Sequence, residues 1–146
     1  MMTKFMMAVV LLLAGYVAGR LSSPSAVLSA SQPAAAGHVY ELRTYTAAEG
    51  KLANVNARFR DNTRRIFEKH NMTSIGYWTP LEGATAETTL IYLLEHPSRE
   101  EARKNWAAFS ADPEWQKVKA ESETGGRIVA KAESVFLNPT DYSALK

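Results

Sequence analysis

Residues 88–95 read TTLIYLLE, a run that is apolar on both faces of any strand it forms. Side chains alternate along a strand, so Leu90, Tyr92 and Leu94 point to one side of a sheet, and Ile91 and Leu93 point to the other. Helices of the same chain can cover one of these sides. The second side needs another cover, and we expect a matching sheet from a second copy of the chain to supply it.

Upstream of this run the sequence predicts a strand, a helix and one arm of a hairpin. Residues 38–46 are rich in Val, Tyr and Thr, as strands are. Residues 51–69 have the helical period, with apolar side chains at Leu52, Val55, Phe59, Ile66 and Phe67. Residues 74–81 form a strand that turns into residues 88–95 through a polar loop containing Gly83.

Downstream of the run the sequence predicts a second helical region and a last strand. Ser98 and Glu101 have the spacing of a capping box at a helix start. Asp112 and Pro113 end that helix and begin another turn, and residues 127–137 alternate as a strand. The order β-α-β-β-α-β is that of an α+β, ferredoxin-like domain, with a four-stranded antiparallel sheet and both helices on one face.

The N-terminal part of the chain has a different character. Residues 5–19 are uncharged and apolar between Lys4 and Arg20, which is typical of a signal peptide, and they are shorter than the ~20 residues that cross a bilayer comfortably. We interpret residues 1–20 as a signal peptide or N-terminal anchor, residues 21–37 as a flexible Ser/Ala/Pro linker, and residues 38–146 as the domain. The protein is therefore expected to be exported, either periplasmic or extracellular, or to be tethered to the inner membrane through residues 5–19.

Composition excludes several kinds of site. The chain has no cysteine, which removes disulfides, thiolate metal sites and a cysteine nucleophile. It has 17 basic and 15 acidic residues, and two of the basic ones flank the N-terminal apolar stretch, so the domain is close to neutral. Its basic residues alternate with acidic ones, whereas a nucleic-acid-binding surface needs a basic stripe, so we expect no nucleic-acid partner.

Short motifs along the domain resemble one known family. They are VYELRTY at residues 39–45, GKL at 50–52, HNM at 70–72, GYW at 76–78 and DPEW at 112–115. In this order and spacing they resemble the NIPSNAP domain, with Asn71 standing where the family usually has glycine. The resemblance implies a dimeric α/β barrel, in which two ferredoxin-like sheets enclose a cavity. It implies no agreed reaction, although the wider superfamily includes cofactor-free monooxygenases and haem-degrading enzymes.

Candidate ligand-binding residues are Arg43, Tyr45, His70 and Trp78. If Tyr40 and Leu42 contact the helices, alternation sends Arg43 and Tyr45 into the cavity between the two sheets. Each candidate also has a structural explanation: Arg43 can be neutralised by an ion pair, and His70 can interact with the last carbonyls of its helix. Trp106, Phe109 and Trp115 follow the helix period and are expected in the core.

The sequence contains no recognisable catalytic constellation. No two histidines have metal-ligand spacing, and no cofactor motif or catalytic triad is present, so neither a metal, a cofactor nor a catalytic residue is predicted. The leading interpretation is an envelope or secreted small-molecule-binding domain, with an apolar cavity in a homodimer that holds a small apolar or aromatic ligand. The alternatives are a cofactor-independent monooxygenase or isomerase acting on an aromatic or polyketide-like substrate, and a protein-interaction module without a small ligand.

Overall fold

The structure is a computed structural model that describes residues 37–146. The signal peptide or anchor at residues 1–20 and the linker before Gly37 lie outside the described residues, and both stay predictions. Among the described residues, no helix is long and apolar enough to cross a membrane.

The described part of the chain is an α+β domain built on one antiparallel sheet. The strands are β1 (Val39–Ala47), β2 (Thr73–Trp78), β3 (Thr89–His96) and β4 (Val129–Leu137), in the spatial order β2-β3-β1-β4. The helices are α1 (Leu52–Arg58), α2 (Arg64–Lys69), α3 (Arg99–Ala111) and α4 (Pro113–Ser122). This arrangement confirms the predicted β-α-β-β-α-β order, with each predicted helical region made of two helices.

The first helical region contains one irregular turn. A π-helical turn at Phe59–Thr63 joins α1 to α2, and the Thr63 hydroxyl donates to the Arg58 carbonyl at 3.1 Å. The region ends at Asn71, whose φ of 54° is left-handed, as asparagine permits. The extra residue of a π turn shifts the apolar side chains around the helix axis, so the residues before and after it share one buried face.

Ser98 and Asp112 cap the second helical region as predicted, while the Glu101 carboxylate of the predicted capping box accepts from Lys104 Nζ at 2.8 Å instead. The Ser98 hydroxyl accepts a hydrogen bond from the backbone N–H of Glu101 at 3.1 Å, and α3 starts at Arg99, directly after Ser98. The Asp112 carboxylate accepts from the backbone N–H of Glu114 at 2.8 Å, with Pro113 as the first residue of α4. These caps satisfy orphan backbone donors at two successive helix starts.

The faces of β1 are the reverse of those predicted. Glu41, Arg43 and Tyr45 lie opposite Leu94, Tyr92 and Leu90 of β3, and residues opposite each other in an antiparallel pair share a side. That side is covered by the helices, because the Tyr45 ring meets Phe59 at 5.7 Å between centroids. The prediction that Tyr40 and Leu42 contact the helices, and that Arg43 and Tyr45 face a partner sheet, is therefore wrong. Charge does not force a strand residue outwards when polar partners are buried with it.

The core lies between the sheet and the helices, and aromatic rings dominate it. Rings from three strands, the π-helical turn and three helices meet there at centroid distances of 4.4–6.1 Å: Tyr45, Phe59, Phe67, Tyr77, Tyr92, Trp106, Phe109 and Trp115. Most of the pairs are edge-to-face or tilted, which are the favoured geometries. The placement of the helix aromatics in the core is as predicted.

The other face of the sheet carries apolar side chains without a helix over them. Trp78, Val135 and Leu137 are 53%, 55% and 40% exposed. The Trp78 indole lies across Gly76, where an added Cβ would come within 2.6 Å of the ring. At one end of this open face, the Tyr40 hydroxyl donates to the backbone carbonyl of Lys146 at 2.9 Å, so the C-terminal segment buries Tyr40.

Candidate functional site

A buried carboxylate lies at the centre of the polar part of the interior. Glu41 on β1 is only 1% exposed. Its oxygens accept hydrogen bonds from Arg43 Nη1 at 2.9 Å, His96 Nε2 at 3.0 Å, Trp106 Nε1 at 2.7 Å and Ser134 Oγ at 2.6 Å. Since an ionised carboxylate only accepts, the His96 tautomer must carry its proton on Nε2. The network joins β1, β3, β4 and α3 through one side chain.

The hydrogen bonds decide the charge state of Glu41. Burial by itself would raise the pKa of this carboxyl, but the bonds from His96, Ser134, Trp106 and Arg43 lower the pKa to about 2. Glu41 is therefore an anion at neutral pH, compensated by the Arg43 guanidinium and by the hydrogen bonds of its other partners. A carboxylate held this firmly by its neighbours is unsuited to giving or taking a proton near pH 7.

Arg43 links this network to the aromatic core. Its guanidinium lies 4.4 Å from the centre of the Trp106 ring, and Nη2 is 3.5 Å from the Tyr45 hydroxyl. Among the described residues, Arg43 Nε, the Tyr92 hydroxyl and His96 Nδ1 are buried without a hydrogen-bond partner. Arg43 thus lies between the helices and the sheet, and the predicted cavity between two sheets is not where its side chain points.

A cleft opens beside Tyr45, between the edge of the sheet and α4. It has a volume of about 480 Å³. Its lining combines two aromatic rings, two small apolar side chains, three cations and one anion: Tyr45, Arg58, Trp115, Lys119, Glu123, Arg127, Val129 and Ala132. The volume lies in the range of sites that bind small organic molecules.

Arg58 is the unusual residue of this cleft. Its side chain is 4% exposed, and its Nη1 donates to Ser122 Oγ at 3.3 Å and to Glu123 Oε1 at 3.2 Å. Its guanidinium lies 5.2 Å from the centre of the Trp115 ring, and Nε has no partner within residues 37–146. Arg58 is also the residue before the π-helical turn, a kind of irregularity that is frequent at functional sites.

A second, larger cleft lies along β2. It has a volume of about 620 Å³ and is lined by the segment from Asn71 to Tyr77 with Arg64, Glu68, His38 and Glu95 around it. Its charged lining consists of Glu68, Glu95 and Arg64, and His38 is paired with Glu95 at 2.8 Å. None of the residues whose buried polar atoms lack a partner in the described chain lines it. The smaller cleft is therefore the better candidate site.

The four predicted site residues are not brought together. Tyr45 lines the candidate cleft. Arg43 does not line it, but its Nη2 lies 3.5 Å from the Tyr45 hydroxyl. His70 ends α2, where its Nε2 lies 2.6 Å from Asp112, and it lines neither cleft. Trp78 lies on the open face of the sheet, so His70 and Trp78 belong to separate regions.

His70 shares Asp112 with a lysine. Lys69 Nζ lies 2.7 Å from the same carboxylate, whose pKa is lowered by hydrogen bonds from Lys69 and His70. Asp112 also caps α4. His70 thus helps to fix the junction of α2 with α4, which agrees with the structural explanation of this histidine.

Sequence reasoning missed Arg58, Lys119 and Arg127. A signal for Arg58 exists, because position 58 lies on the apolar stripe of its helix, three residues after Val55 and next to Phe59. A charged residue on such a stripe has to find a buried partner, and Glu123 is 65 positions away in the sequence. Lys119 and Arg127 carry no comparable signal, since both look like ordinary surface cations.

The NIPSNAP sequence profile matches residues 40–144 of this chain, which is most of its length. The chain belongs to the NIPSNAP family. Its resemblance to that family, first suggested by the short motifs, is confirmed. No curated protein was found to be related to the chain by sequence.

Solved NIPSNAP structures share the fold. An uncharacterised NIPSNAP-like domain protein from Burkholderia xenovorans is 18% identical, with a TM-score of 0.64 over 75% of this chain and 90% of that one. A NIPSNAP family protein of unknown function from Agrobacterium tumefaciens is 21% identical, with a TM-score of 0.65 over 76% of this chain and 96% of that one. At these identities the likeness establishes the fold of the NIPSNAP domain and leaves its activity open.

No group of three or more His, Asp or Glu side chains within residues 37–146 is arranged to hold a metal ion. The chemistry available at the cleft is the hydrogen bonding and charge of Arg58, Lys119 and Arg127 beside the rings of Tyr45 and Trp115.

Proposed function

We propose that this NIPSNAP domain binds a small organic molecule in the cleft between the sheet and α4. The observation that carries the proposal is the lining of this cleft of about 480 Å³, which places the rings of Tyr45 and Trp115 beside the cations Lys119 and Arg127. Such a lining offers one small molecule both an apolar wall and hydrogen-bond donors.

The site proposed in this way differs from the cavity expected from sequence. It lies on the helix side of the sheet, and its lining is mixed, with Trp115 and Val129 beside Arg58 and Glu123. Each domain would then carry its own site. Within the site, Arg58 is paired with Glu123 at 3.2 Å, and the Tyr45 hydroxyl lies 3.5 Å from Arg43 Nη2.

The N-terminal segment supports a companion proposal about location. Residues 5–19 have the pattern of an export signal, and the domain has no cysteine, so export would not demand disulfide formation. We propose that the binding site operates in the cell envelope or outside the cell.

Filling the cleft tests the binding proposal. Ala132 and Ala130 are both exposed on β4, but only Ala132 lines the cleft. We expect Ala132→Phe to reduce retained ligand at least about tenfold and Ala130→Phe to leave it unchanged, because a benzyl group occupies a large part of the space a ligand would use. The measurement is native mass spectrometry of full-length protein purified from its own host. Equal retention in the two variants, or no retained ligand in the parent protein, would contradict the proposal.

We also propose that the open sheet face pairs with a second copy of the chain. The face exposes Trp78, Val135 and Leu137, and the neighbouring Leu42 and Leu93 are only partly buried. Exposed apolar side chains grouped on one face favour association over solvation. Pairing two such faces gives the dimeric barrel that the family resemblance implies.

Charge placed on this face should separate the two copies. We expect Val135→Lys to convert a dimer at micromolar concentration into a monomer, because a lysine opposite Leu42 would have to be desolvated between the sheets. Leu81→Lys is the matched control, since Leu81 is 98% exposed in the loop between β2 and β3. Sedimentation velocity of the full chain gives the answer, and a monomeric parent protein would remove the dimer from the proposal.

A further inference from the structure

The cations of the cleft outnumber its anions. Arg58, Lys119 and Arg127 line it together with a single acidic residue, Glu123. Glu123 is engaged by Arg58 at 3.2 Å. The local excess of positive charge is not a property of the whole domain, because residues 37–146 contain equal numbers of basic and acidic residues.

Lys119 and Arg127 are free to meet a ligand. Both side chains are exposed at the mouth of the cleft, and neither forms an ion pair with any side chain of the described domain. Other lysines nearby are paired: Lys117 on the same helix lies 3.9 Å from Glu121, and Lys131 on β4 lies 2.8 Å from Glu133. Lys119 and Arg127 are thus two cations without an ion-pair partner in the described domain, both at the mouth of the cleft.

The wall of the cleft suits a flat apolar group. The Trp115 ring and the Tyr45 ring lie on the helix and sheet sides of the same space, with Val129 and Ala132 along β4. Trp115 is backed by Phe109 at a centroid distance of 4.4 Å, which fixes the plane of its indole. Aromatic walls of this kind bind planar rings by offset or edge-to-face contact.

From these observations we infer that the ligand is an organic anion, a carboxylate or sulfonate on a planar aromatic body, with its anionic group at Lys119 and Arg127 and its ring beside Trp115. The inference rests on the proposed binding function and specifies its ligand class. The anionic group accepts charge-assisted hydrogen bonds at the mouth of the cleft, and the ring displaces water from the apolar wall. Arg58, paired with Glu123 and almost fully buried, supports the wall of the cleft.

Three probe molecules separate the contribution of ligand charge to binding from that of ligand shape. 1-Naphthoate carries a ring and a negative charge, 1-naphthamide has the same shape without the charge, and inorganic phosphate has charge without a ring. On full-length protein at constant ionic strength, we expect isothermal titration to give naphthoate an affinity about tenfold or more above that of naphthamide, because a charge-assisted hydrogen bond is roughly twice as strong as a neutral one. Phosphate at the same concentrations should not displace naphthoate.

Variants of the two cleft cations test whether the preference for naphthoate over naphthamide arises in the cleft. Lys119→Gln and Arg127→Gln should each lower naphthoate affinity about three- to tenfold and leave naphthamide affinity unchanged, because they remove charge and keep most of the side-chain volume. Lys117→Gln is the control, since Lys117 lies on the same helix and does not line the cleft. Unchanged naphthoate affinity in both cleft variants would overturn the inference.

The outcomes also distinguish this inference from the proposed function. Equal affinity for naphthoate and naphthamide, lost in Ala132→Phe, would keep the binding site and overturn its anion preference. Displacement of naphthoate by phosphate would overturn the need for an aromatic body. Absence of binding by both aromatic probes would count against the cleft as a binding site, and so against the proposed function itself.

Discussion

Glu41→Gln is expected to lower the free energy of unfolding by about 3–5 kcal/mol, the range measured when one partner of a buried ionic network is removed. Glutamine has nearly the shape of glutamate, so the loss would not come from a cavity. It would come from replacing one acceptor oxygen by an NH₂ group in a place where His96, Trp106 and Ser134 all present donors. The positive charge of Arg43 would also remain buried without its carboxylate.

The control for this variant is Glu95→Gln, on the neighbouring strand. Glu95 pairs with His38, which is half exposed, and exposed pairs of this kind contribute about 0–1 kcal/mol. Chemical denaturation at pH 7 compares the two variants. If Glu41→Gln were no less stable than Glu95→Gln, the network would be a by-product of packing and not a source of stability.

The pH dependence of stability provides an independent test of Glu41. The pKa of its carboxyl is about 2 in the folded domain, against an ordinary value of 4.5. A lowered folded-state pKa stabilises the fold above the ordinary value, and that contribution is lost as the pH falls from about 5 towards 2. The difference in stability between the parent protein and Glu41→Gln should therefore shrink over this interval. A difference that stayed constant from pH 6 to pH 3 would contradict the assigned charge state.

The order of the elements could be predicted because each has a strong local signal. Leu52, Val55 and Phe59 follow the helix period, Ser98 marks a helix start, and Asn71 marks a helix end. The pairing of β1 with β4 also follows from the order, since a ferredoxin-like sheet places the first and last strands side by side.

Which side of β1 meets the helices could not be predicted from the hydrophobic pattern of the strand. Hydrophobicity favours Tyr40 and Leu42 as the buried side, but Glu41, Arg43 and Tyr45 are the residues that meet the helices. Their partners are distant in sequence: Glu41 bonds to His96, 55 positions away, and to Ser134, 93 positions away. The candidate cleft was missed for the same reason, because Arg58 and Glu123 meet only in the fold.

The largest loss from a single truncation is expected for Phe67→Ala, at about 3–5 kcal/mol. Phe67 is 1% exposed on α2. Its ring lies between those of the sheet and those of α3, within centroid distances of 4.9–6.1 Å of Phe59, Tyr92, Trp106 and Phe109. Removal leaves a cavity bounded by large, ordered rings, which can collapse only by breaking their edge-to-face contacts with one another.

The consequence of Phe67→Ala should extend to the Glu41 network, because Trp106 is both a neighbour of Phe67 and a donor to Glu41 at 2.7 Å. Phe136→Ala is the matched control: Phe136 is half-buried on the edge strand β4, 4.8 Å from the Arg99 guanidinium, and its truncation should cost below about 2 kcal/mol. Thermal melts should give Phe67→Ala the lower midpoint by about 10 °C or more. Near-UV circular dichroism should lose intensity only in Phe67→Ala, since the aromatic cluster is disturbed there. Equal losses in the two variants would mean that the cluster around Phe67 is not the centre of the core.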